Sequence, residues 1–140
     1  MKNPGANIPH AKLRGEWAEL RFMTRAAELG FRVAKPWGET APYDVITDSA
    51  GHFLRVQVKC TIQKRWNSYR CNLAANHIPY TPQQVDFIAA YIIPEDTWYI
   101  IPLHAVRGTS LLFRRKKDHR PGLYDQYRQA WFLLRRPPSS

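Results

Sequence analysis

The 140-residue chain is 44% hydrophobic and 13% aromatic, which is enough apolar material for one folded core and excludes a disordered protein. It has no run approaching the roughly 18 apolar residues of a membrane span, and its first residues lack the apolar segment of a secretory signal. We therefore expect a cytoplasmic protein without a membrane partner. The two cysteines exclude a disulfide framework, and we expect both to be buried thiols.

The charge of the chain is strongly unbalanced. Lysine and arginine number 21 against 11 acidic residues, which gives a net charge of +10. A field of this sign attracts polyanions, and among them nucleic acid is the partner that best fits a small basic protein rich in aromatic residues. The alternative is a cationic protein whose charge serves only solubility.

The chain is predicted to form a single domain over residues 12–134. Residues 1–11 contain two prolines and a glycine without periodicity, and residues 135–140 contain two prolines and two serines. Segments of this composition at chain ends are typically flexible, and we expect both to be so. No internal repeat or long linker divides the sequence between them.

The first predicted element is a helix over residues 12–29, with Gly30 at the position of a C-terminal cap. Helical periodicity places charged residues on a narrow solvent face and apolar residues on the opposite arc. Glu16 and Glu19 fall inside that apolar arc. The predicted solvent face contains Arg14, Arg21, Arg25 and Glu28, and the predicted apolar arc contains Leu13, Trp17, Leu20, Met23, Ala26 and Ala27.

Seven short segments have strand-like composition. A second helix is predicted over residues 124–134 because Tyr124, Tyr127, Trp131 and Leu134 follow a helical spacing. The sequence thus predicts an α/β (α+β) protein, in which an N-terminal helix packs on a central mixed or antiparallel sheet with a C-terminal helix. The predicted strands cover residues 31–33, 43–47, 53–60, 69–73, 87–93, 98–101 and 110–113.

The strand at 53–60 has a polar face that a small core does not explain. Gln57 and Lys59 lie two residues apart and must point the same way. Asp44 lies on the preceding strand, and a hairpin turn over residues 48–52 would bring it beside them. Because burying charged groups costs several kcal/mol unless they are paired or bind a metal, this clustering indicates a functional site. The alternative is structural, with Asp44 and Lys59 forming an ion pair.

These residue types suit phosphodiester hydrolysis with Mg²⁺. The ion prefers oxygen ligands and usually takes only one or two carboxylates. Asp44 can supply a carboxylate, Gln57 an amide oxygen, and Val58 a backbone carbonyl. Glu19 would hold a water or a second ion, and Lys59 would orient or help deprotonate the attacking water. Glu16 is an alternative helical ligand.

The order of these motifs resembles the PD-(D/E)XK nuclease superfamily. The helix segment Gly15-Glu-Trp-Ala-Glu19 is similar to the helix of archaeal Holliday-junction resolvases. It is followed by Pro42-Tyr-Asp44, a turn, and Gln57-Val-Lys59. The greater similarity is to the branch with glutamine in place of the second acid, which includes an intron-encoded homing endonuclease. The resemblance covers about residues 12–102.

The resemblance implies a restriction-endonuclease-like fold and a Mg²⁺-dependent DNA endonuclease in which Mn²⁺ can substitute. It makes Asp44 and Gln57 metal ligands, Lys59 the catalytic lysine, and Glu19 the helical acid. The enzyme would be site-specific, of the homing type, or would resolve DNA junctions. Two features depart from the pattern: Tyr43 separates the proline from Asp44, and Gln57 replaces a carboxylate. The alternative is an inactive nucleic-acid-binding module with the same fold.

Two basic segments are predicted to bind duplex or branched DNA. The first, with Lys64, Arg65 and Arg70, directly follows the candidate catalytic strand; the second is the run Arg114, Arg115, Lys116 and Lys117. Such residues contribute salt-sensitive contacts with phosphates. Cutting both strands at a two-fold DNA site favours a symmetric oligomer, and we expect a homodimer or homotetramer.

Overall fold

A computed structural model describes residues 4–73 and 79–138. Its one long helix, α1 (Ala11–Glu28), packs on a five-stranded sheet of order β1-β2-β3-β6-β7. β3 and β6 run parallel, and the other neighbours are antiparallel. The predicted mixed sheet with an N-terminal helix is therefore confirmed. The strands of this sheet are β1 (Arg32–Ala34), β2 (Val45–Ser49), β3 (His52–Thr61), β6 (Phe87–Ile92) and β7 (Thr97–Pro102).

A second sheet of three antiparallel strands, which we call the ribbon, covers the opposite face of the central sheet. It has the order β4-β5-β8. The sequence predicted two of its strands but not the short β4. Its strands are β4 (Lys64–Arg65), β5 (Ser68–Asn72) and β8 (Ser110–Arg114).

The central sheet thus separates two apolar cores. The core on the helix side contains Phe22, Val56 and Trp98 among its buried residues. The core on the ribbon side contains Ile88 and Phe113. Alternating side chains of β6 and β7 enter the two cores in turn, as a strand buried on both faces requires. The layers are therefore helix, central sheet and ribbon.

The hairpin between β2 and β3 forms as predicted. Ser49 is paired with His52, and the two residues between them, Ala50 and Gly51, have positive φ angles of 51° and 86°. Positive φ at both central positions defines the two-residue turn that matches the twist of a hairpin. The Gly51 N–H donates to Asp48 Oδ1 at 2.8 Å, which holds the turn.

The predicted apolar arc of α1 is wrong by part of a turn. Leu13 and Leu20 are 54% and 61% exposed, whereas Ala18, Phe22 and Ala26 are fully buried. The Phe22 ring lies with its centroid 5.2 Å from Trp131 and 5.5 Å from Trp98. The helix therefore approaches the sheet through two alanines and inserts one aromatic ring, which sets its rotation. Ala27, predicted to be apolar-facing, is exposed, and Arg14, predicted to be solvent-facing, is half-buried.

The predicted C-terminal helix over residues 124–134 is also wrong. The segment forms two 3₁₀ turns, Asp125–Tyr127 and Trp131–Leu134. Between them Gln129 has a φ of +52° and its N–H donates to the Trp98 carbonyl at 2.7 Å. The helical spacing has another cause: Tyr124 is buried in the ribbon-side core, whereas Trp131 and Leu134 are buried in the helix-side core. This one segment thus passes the edge of the sheet and contributes buried side chains to both cores.

Near the N-terminus, Pro4–Asn7 forms a 3₁₀ turn, and the Trp17 ring lies against Gly5. Residues 1–3, 74–78 and 139–140 lie outside the described residues, so the predicted flexibility of the chain ends stays a prediction. Within the described ranges, no helix is long and apolar enough to span a bilayer.

Candidate active site

The candidate site lies where β3 loses one of its neighbours. β2 pairs with β3 only as far as the Val45–Val56 rung. One position beyond it, the Asp44 N–H donates to the Val56 carbonyl at 2.9 Å. The Asp44 carboxylate then accepts the Val58 N–H at 2.8 Å. A backbone amide that would otherwise be unpaired at a strand edge therefore holds the carboxylate in place.

Gln57 and Lys59 point away from α1. Val56 and Val58, which alternate with them, are buried in the helix-side core. The pleat of the strand therefore directs Gln57 and Lys59 to the ribbon side, as the alternating sequence predicted. The Lys59 ammonium lies 5.8 Å from the centroid of the Tyr80 ring, within the range of a cation–π contact.

Glu19 approaches the site from α1. Its side chain is 20% exposed and accepts a hydrogen bond at 2.8 Å from the ammonium of Lys35, which follows β1. The sequence analysis missed Lys35, because a single lysine before a proline carries no spacing signal. The structure thus places a cation beside the helical acid.

All four predicted catalytic residues line one cleft of about 840 Å³. Val58 also lines it, and Glu16 lies exposed at its wall. Arg14 and Asn72, which the sequence analysis did not select for the site, line the cleft as well. The side chains therefore come from α1, β3, β5 and the loops around β1 and β2. The four predicted residues are Glu19, Asp44, Gln57 and Lys59.

The electrostatics of the cleft centre on Asp44. Burial raises the pKa of Asp44 above its ordinary value, and the nearby Glu19 carboxylate raises it further. The hydrogen bond from Val58 and the charges of Lys59 and Lys35 act in the opposite direction on that pKa without cancelling the rise. Two carboxylates thus face a partly desolvated space, where a bound cation would stabilise both in their charged form.

The donor set fits Mg²⁺. Among the described residues, no three or more histidine, cysteine, aspartate or glutamate side chains form a metal cluster. Two carboxylates with a neutral amide oxygen and a backbone carbonyl are, however, a set that Mg²⁺ accepts, because this ion retains several waters. In strands the N–H and C=O of one residue face the same edge, so the Val58 carbonyl faces the edge that holds Asp44.

An ion pair at the other end of β3 fixes its position against β6. The Arg55 backbone N–H and its guanidinium both donate to the Asp86 carboxylate, at 2.7 and 3.0–3.1 Å. Burial alone would raise the pKa of Asp86, but these hydrogen bonds with Arg55 outweigh it and lower that pKa. The Asp86–Arg55 pair starts the parallel register that continues to Thr61 and Ile92.

The predicted DNA-binding residues do not form one surface. Arg65, Arg70 and Arg114 line a second cleft on the outer side of the ribbon. Lys64 of β4 is paired with the buried Tyr69 of β5, so its side chain lies on the opposite face of the ribbon from Arg65. In the second segment, the Lys116 N–H donates to the Glu95 carboxylate at 3.0 Å, and Arg115 and Lys117 flank it. The run 114–117 is thus divided between the cleft on the outer side of the ribbon and the surface beside Glu95.

The two cysteines lie outside this chemistry. Burial raises the pKa of the Cys60 thiol, and it raises the pKa of the Cys71 thiol to about 12. A thiol of that pKa stays protonated at neutral pH and is a poor nucleophile. Cys71 is buried, as predicted, whereas Cys60 is half-buried: it packs against the helix-side core and also lines the cleft.

Comparison with known proteins agrees with this fold. A structure of a bacterial homing endonuclease, I-Ssp6803I, superimposes with a TM-score of 0.78 at 26% identity, covering 89% of this chain and 91% of that one. The Holliday junction resolvase Hjc from Archaeoglobus fulgidus shares the fold, with a TM-score of 0.53 at 15% identity over 81% of this chain and 88% of that one. A search of curated proteins finds no match. The family model described as PD-(D/E)XK endonuclease matches residues 9–133, and the chain belongs to this family.

Proposed function

We propose that this protein is a Mg²⁺-dependent DNA endonuclease, site-specific in the manner of homing enzymes or specific for DNA junctions. The observation that carries the proposal is the Asp44 carboxylate held on the Val58 amide at the open edge of β3. It lines one cleft with Glu19, Gln57 and Lys59. The similarity to a homing endonuclease over most of both chains supports it.

In the proposed mechanism, Asp44, Gln57, the Val58 carbonyl and Glu19 would hold the ion, with Mn²⁺ as a substitute. A divalent cation supplies stabilisation of the negative charge that develops on the phosphoryl oxygens. The donors come from α1, from β3 and from the residue that precedes β2, so that folding alone brings them together. The Asp44–Val58 hydrogen bond keeps the carboxylate from turning away when the cleft is empty.

Lys59 has the role of a cation next to the reacting phosphate. Its ammonium donates hydrogen bonds to the attacking water or to a phosphoryl oxygen and offsets the charge that grows there. The Tyr80 ring, whose centroid lies 5.8 Å from the ammonium, restrains it by a cation–π contact. Lys35 holds the Glu19 carboxylate in place and limits repulsion between Glu19 and Asp44.

DNA is the substrate best supported by charge. The chain carries +10, and the basic residues Lys12, Arg14, Lys35 and Lys59 line the cleft. Contacts of Lys64, Arg65, Arg70 and the segment 114–117 with phosphates would make binding fall steeply with salt. Such an enzyme would act in the cytoplasm or wherever the cell keeps its DNA.

A homodimer or homotetramer follows from cleavage of both strands, since one cleft of this size accommodates one phosphodiester. Two-fold DNA targets are matched by symmetric oligomers. The exposed Leu13 and Leu20, seven residues apart on α1, provide apolar surface on one helix face. Sedimentation at micromolar concentration is expected to show at least a dimer, and a monomer would contradict this part of the proposal.

The test is cleavage of supercoiled plasmid, linear duplex and four-way junction DNA with Mg²⁺, with Mn²⁺ or with EDTA. Asp44→Ala removes the central carboxylate, and Glu28→Ala is the control, because Glu28 is an exposed carboxylate paired only with Arg25 on α1. We expect metal-dependent cutting by the wild type and by Glu28→Ala alone. Preference for the junction would identify a resolving enzyme, and preference for particular sites in the duplexes a homing-type enzyme. Absence of cleavage on all three DNAs would leave a binding module.

A further inference from the structure

The outer face of the ribbon is arginine-rich and lies beside the active-site cleft, which it meets at Asn72. Tyr69, Cys71, Leu111 and Phe113 point inward and are buried, so the alternate residues of β5 and β8 point outward. Together with Arg65 these define the outer face. All of them except Asn72 line a cleft of about 670 Å³, to which Arg107 also contributes, and its described lining contains no carboxylate. The outer face consists of Arg65, Ser68, Arg70, Asn72, Ser110, Leu112 and Arg114.

The side chains of this face are held in place. Arg70 Nε donates to Ser110 Oγ at 3.0 Å, which leaves the terminal nitrogens of the guanidinium for other partners. The Ser110 hydroxyl in turn donates to Asn72 Oδ1 at 3.5 Å. Arg114 is restrained by Gly122, where a Cβ would lie 2.9 Å from Arg114 Cγ, and by Asp118, whose carboxylate is 3.6 Å from its guanidinium.

The outer face is continuous with the active site. Asn72 lines the active-site cleft and accepts a hydrogen bond from Ser110, which lines the outer cleft. From Asn72 the face follows β5 to Ser68, a distance of about 13 Å at the usual rise of a strand. At about 3.4 Å per base pair this corresponds to about four base pairs of duplex.

Resting on the endonuclease function proposed above, we infer that the outer face of the ribbon lies in the major groove and reads base edges within about four base pairs of the cleaved phosphate. The major groove admits a two-stranded ribbon, and β5 and β8 provide one. The ordered fork of Arg70 matches the paired acceptors of guanine, Asn72 the donor and acceptor of adenine, and the exposed Leu112 the methyl group of thymine.

The composition of the face favours bases over phosphates alone. A surface that contacts only phosphates uses cations and polar side chains such as serine and asparagine, and it has no need of an apolar side chain. Here arginines alternate with serine, asparagine and a leucine that is 49% exposed among them. An exposed leucine between arginines has no use in a phosphate contact, whereas base edges present both polar and methyl groups in the same groove.

The experiment is selection from a pool of duplexes with a randomised central segment, carried out in EDTA so that cleavage does not intervene. Arg70→Lys keeps the charge but removes the two-pronged donor. Arg25→Lys is the control, because Arg25 lies on α1, in the layer on the opposite side of the central sheet. Leu112→Glu tests the apolar contact, and circular dichroism with thermal unfolding verifies that each variant folds.

We expect the wild type and Arg25→Lys to enrich one motif that includes a guanine whose N7 methylation blocks binding. Arg70→Lys is expected to bind the unselected pool within about threefold of the wild type, because its charge is kept, and to lose at least about fivefold of its preference at that guanine. Leu112→Glu is expected to bind both pools weakly. An unchanged motif in Arg70→Lys would overturn the inference, as would a wild type that enriches none.

Failure of this inference and failure of the endonuclease proposal can be told apart. Metal-dependent nicking of plasmid without any Arg70-dependent motif would refute only the inference that the outer face of the ribbon reads base edges. A motif that depends on Arg70 without nicking of its own selected duplex would refute only the endonuclease. Blocking by adenine N3 methylation instead of guanine N7 methylation would place the protein in the minor groove and contradict the inference.

Discussion

The two faces of the central sheet are built differently. On the helix side, Phe22, Trp98 and Trp131 pack ring against ring, with centroids between 5.2 and 5.9 Å apart. On the ribbon side, a second sheet is buried on one face and polar on the other. The candidate active site lies at the edge of β3 where these layers meet, with Glu19 from one side and Lys59 directed to the other. The candidate site thus lies between an aromatic core on one side of the sheet and a ribbon with an exposed polar face on the other.

The largest effect is expected from Asp44→Asn at that edge. The amide oxygen can still accept the Val58 N–H, so the fold should persist. The lost charge should lower the cleavage rate by about 10²–10³-fold, the usual loss when one charge-stabilising group is removed. The same change should abolish the rise in melting temperature on adding Mg²⁺ that a cation bound to the folded wild type produces. Glu28→Gln is the control, and a full metal-dependent rise in Asp44→Asn would contradict the assigned site.

The helix side can be tested with Trp131→Ala. Trp131 is 6% exposed and packs against the rings of both Phe22 and Trp98. Removing such a ring should cost about 3–5 kcal/mol of unfolding free energy in urea denaturation. Phe132→Ala is the matched control, because Phe132 is 68% exposed and should change stability by less than about 0.5 kcal/mol. Equal losses from the two variants would show that the C-terminal segment does not pack as described.

The contribution of the Asp86–Arg55 ion pair to stability can be measured from its dependence on pH. The pKa of Asp86 is lowered in the fold, so its pair contributes stability above the unfolded value of 3.8 that is lost as pH falls through the lower folded value. Asp86→Asn should therefore destabilise the protein at neutral pH and flatten the fall in urea midpoint below about pH 4. Asp118, whose pKa Arg120 lowers to about 2, is present in both the wild type and Asp86→Asn and therefore does not contribute to the difference between their profiles. Parallel pH profiles would refute the contribution of Asp86.

The smallest effect is expected from Lys35→Ala. Lys35 competes with a cation for the Glu19 carboxylate. Because the lysine is half-exposed, its ion pair with Glu19 is worth less than about 1 kcal/mol, and this is the free energy that cation binding no longer has to overcome in the variant. The Mg²⁺ concentration for half-maximal cleavage should then fall by about two- to fivefold. A higher requirement for Mg²⁺ would show that Lys35 assists metal binding.

The clustering of the candidate site residues could be predicted from the sequence because its signals are local. The alternation of 53–60 fixes the shared direction of Gln57 and Lys59, and a two-residue turn with Gly51 fixes the partner strand that brings Asp44 near. Both depend on neighbours in the chain. The buried thiol of Cys71 was predicted correctly for the same reason, since it lies on the apolar face of β5, whereas Cys60 is only half-buried.

Features that depend on distant partners could not be predicted in this way. The parallel pairing of β3 with β6 joins residues about thirty positions apart. Lys35 meets Glu19 only because α1 and β1 fold together. The rotation of α1 depends on two tryptophans from the C-terminal half. The spacing of residues 124–134 predicted a helix because it could not show that these side chains enter two cores.

The most direct test of the central claim is the rate at which enzyme-bound plasmid is nicked in Mg²⁺ by the wild type and by Lys59→Ala. DNA binding should change by less than about threefold, because one of many positive charges is lost. The nicking rate should fall by at least about 10²-fold, because Lys59 acts on the reacting phosphate. Equal nicking rates, or salt-sensitive binding by a wild type that never cleaves, would contradict the account.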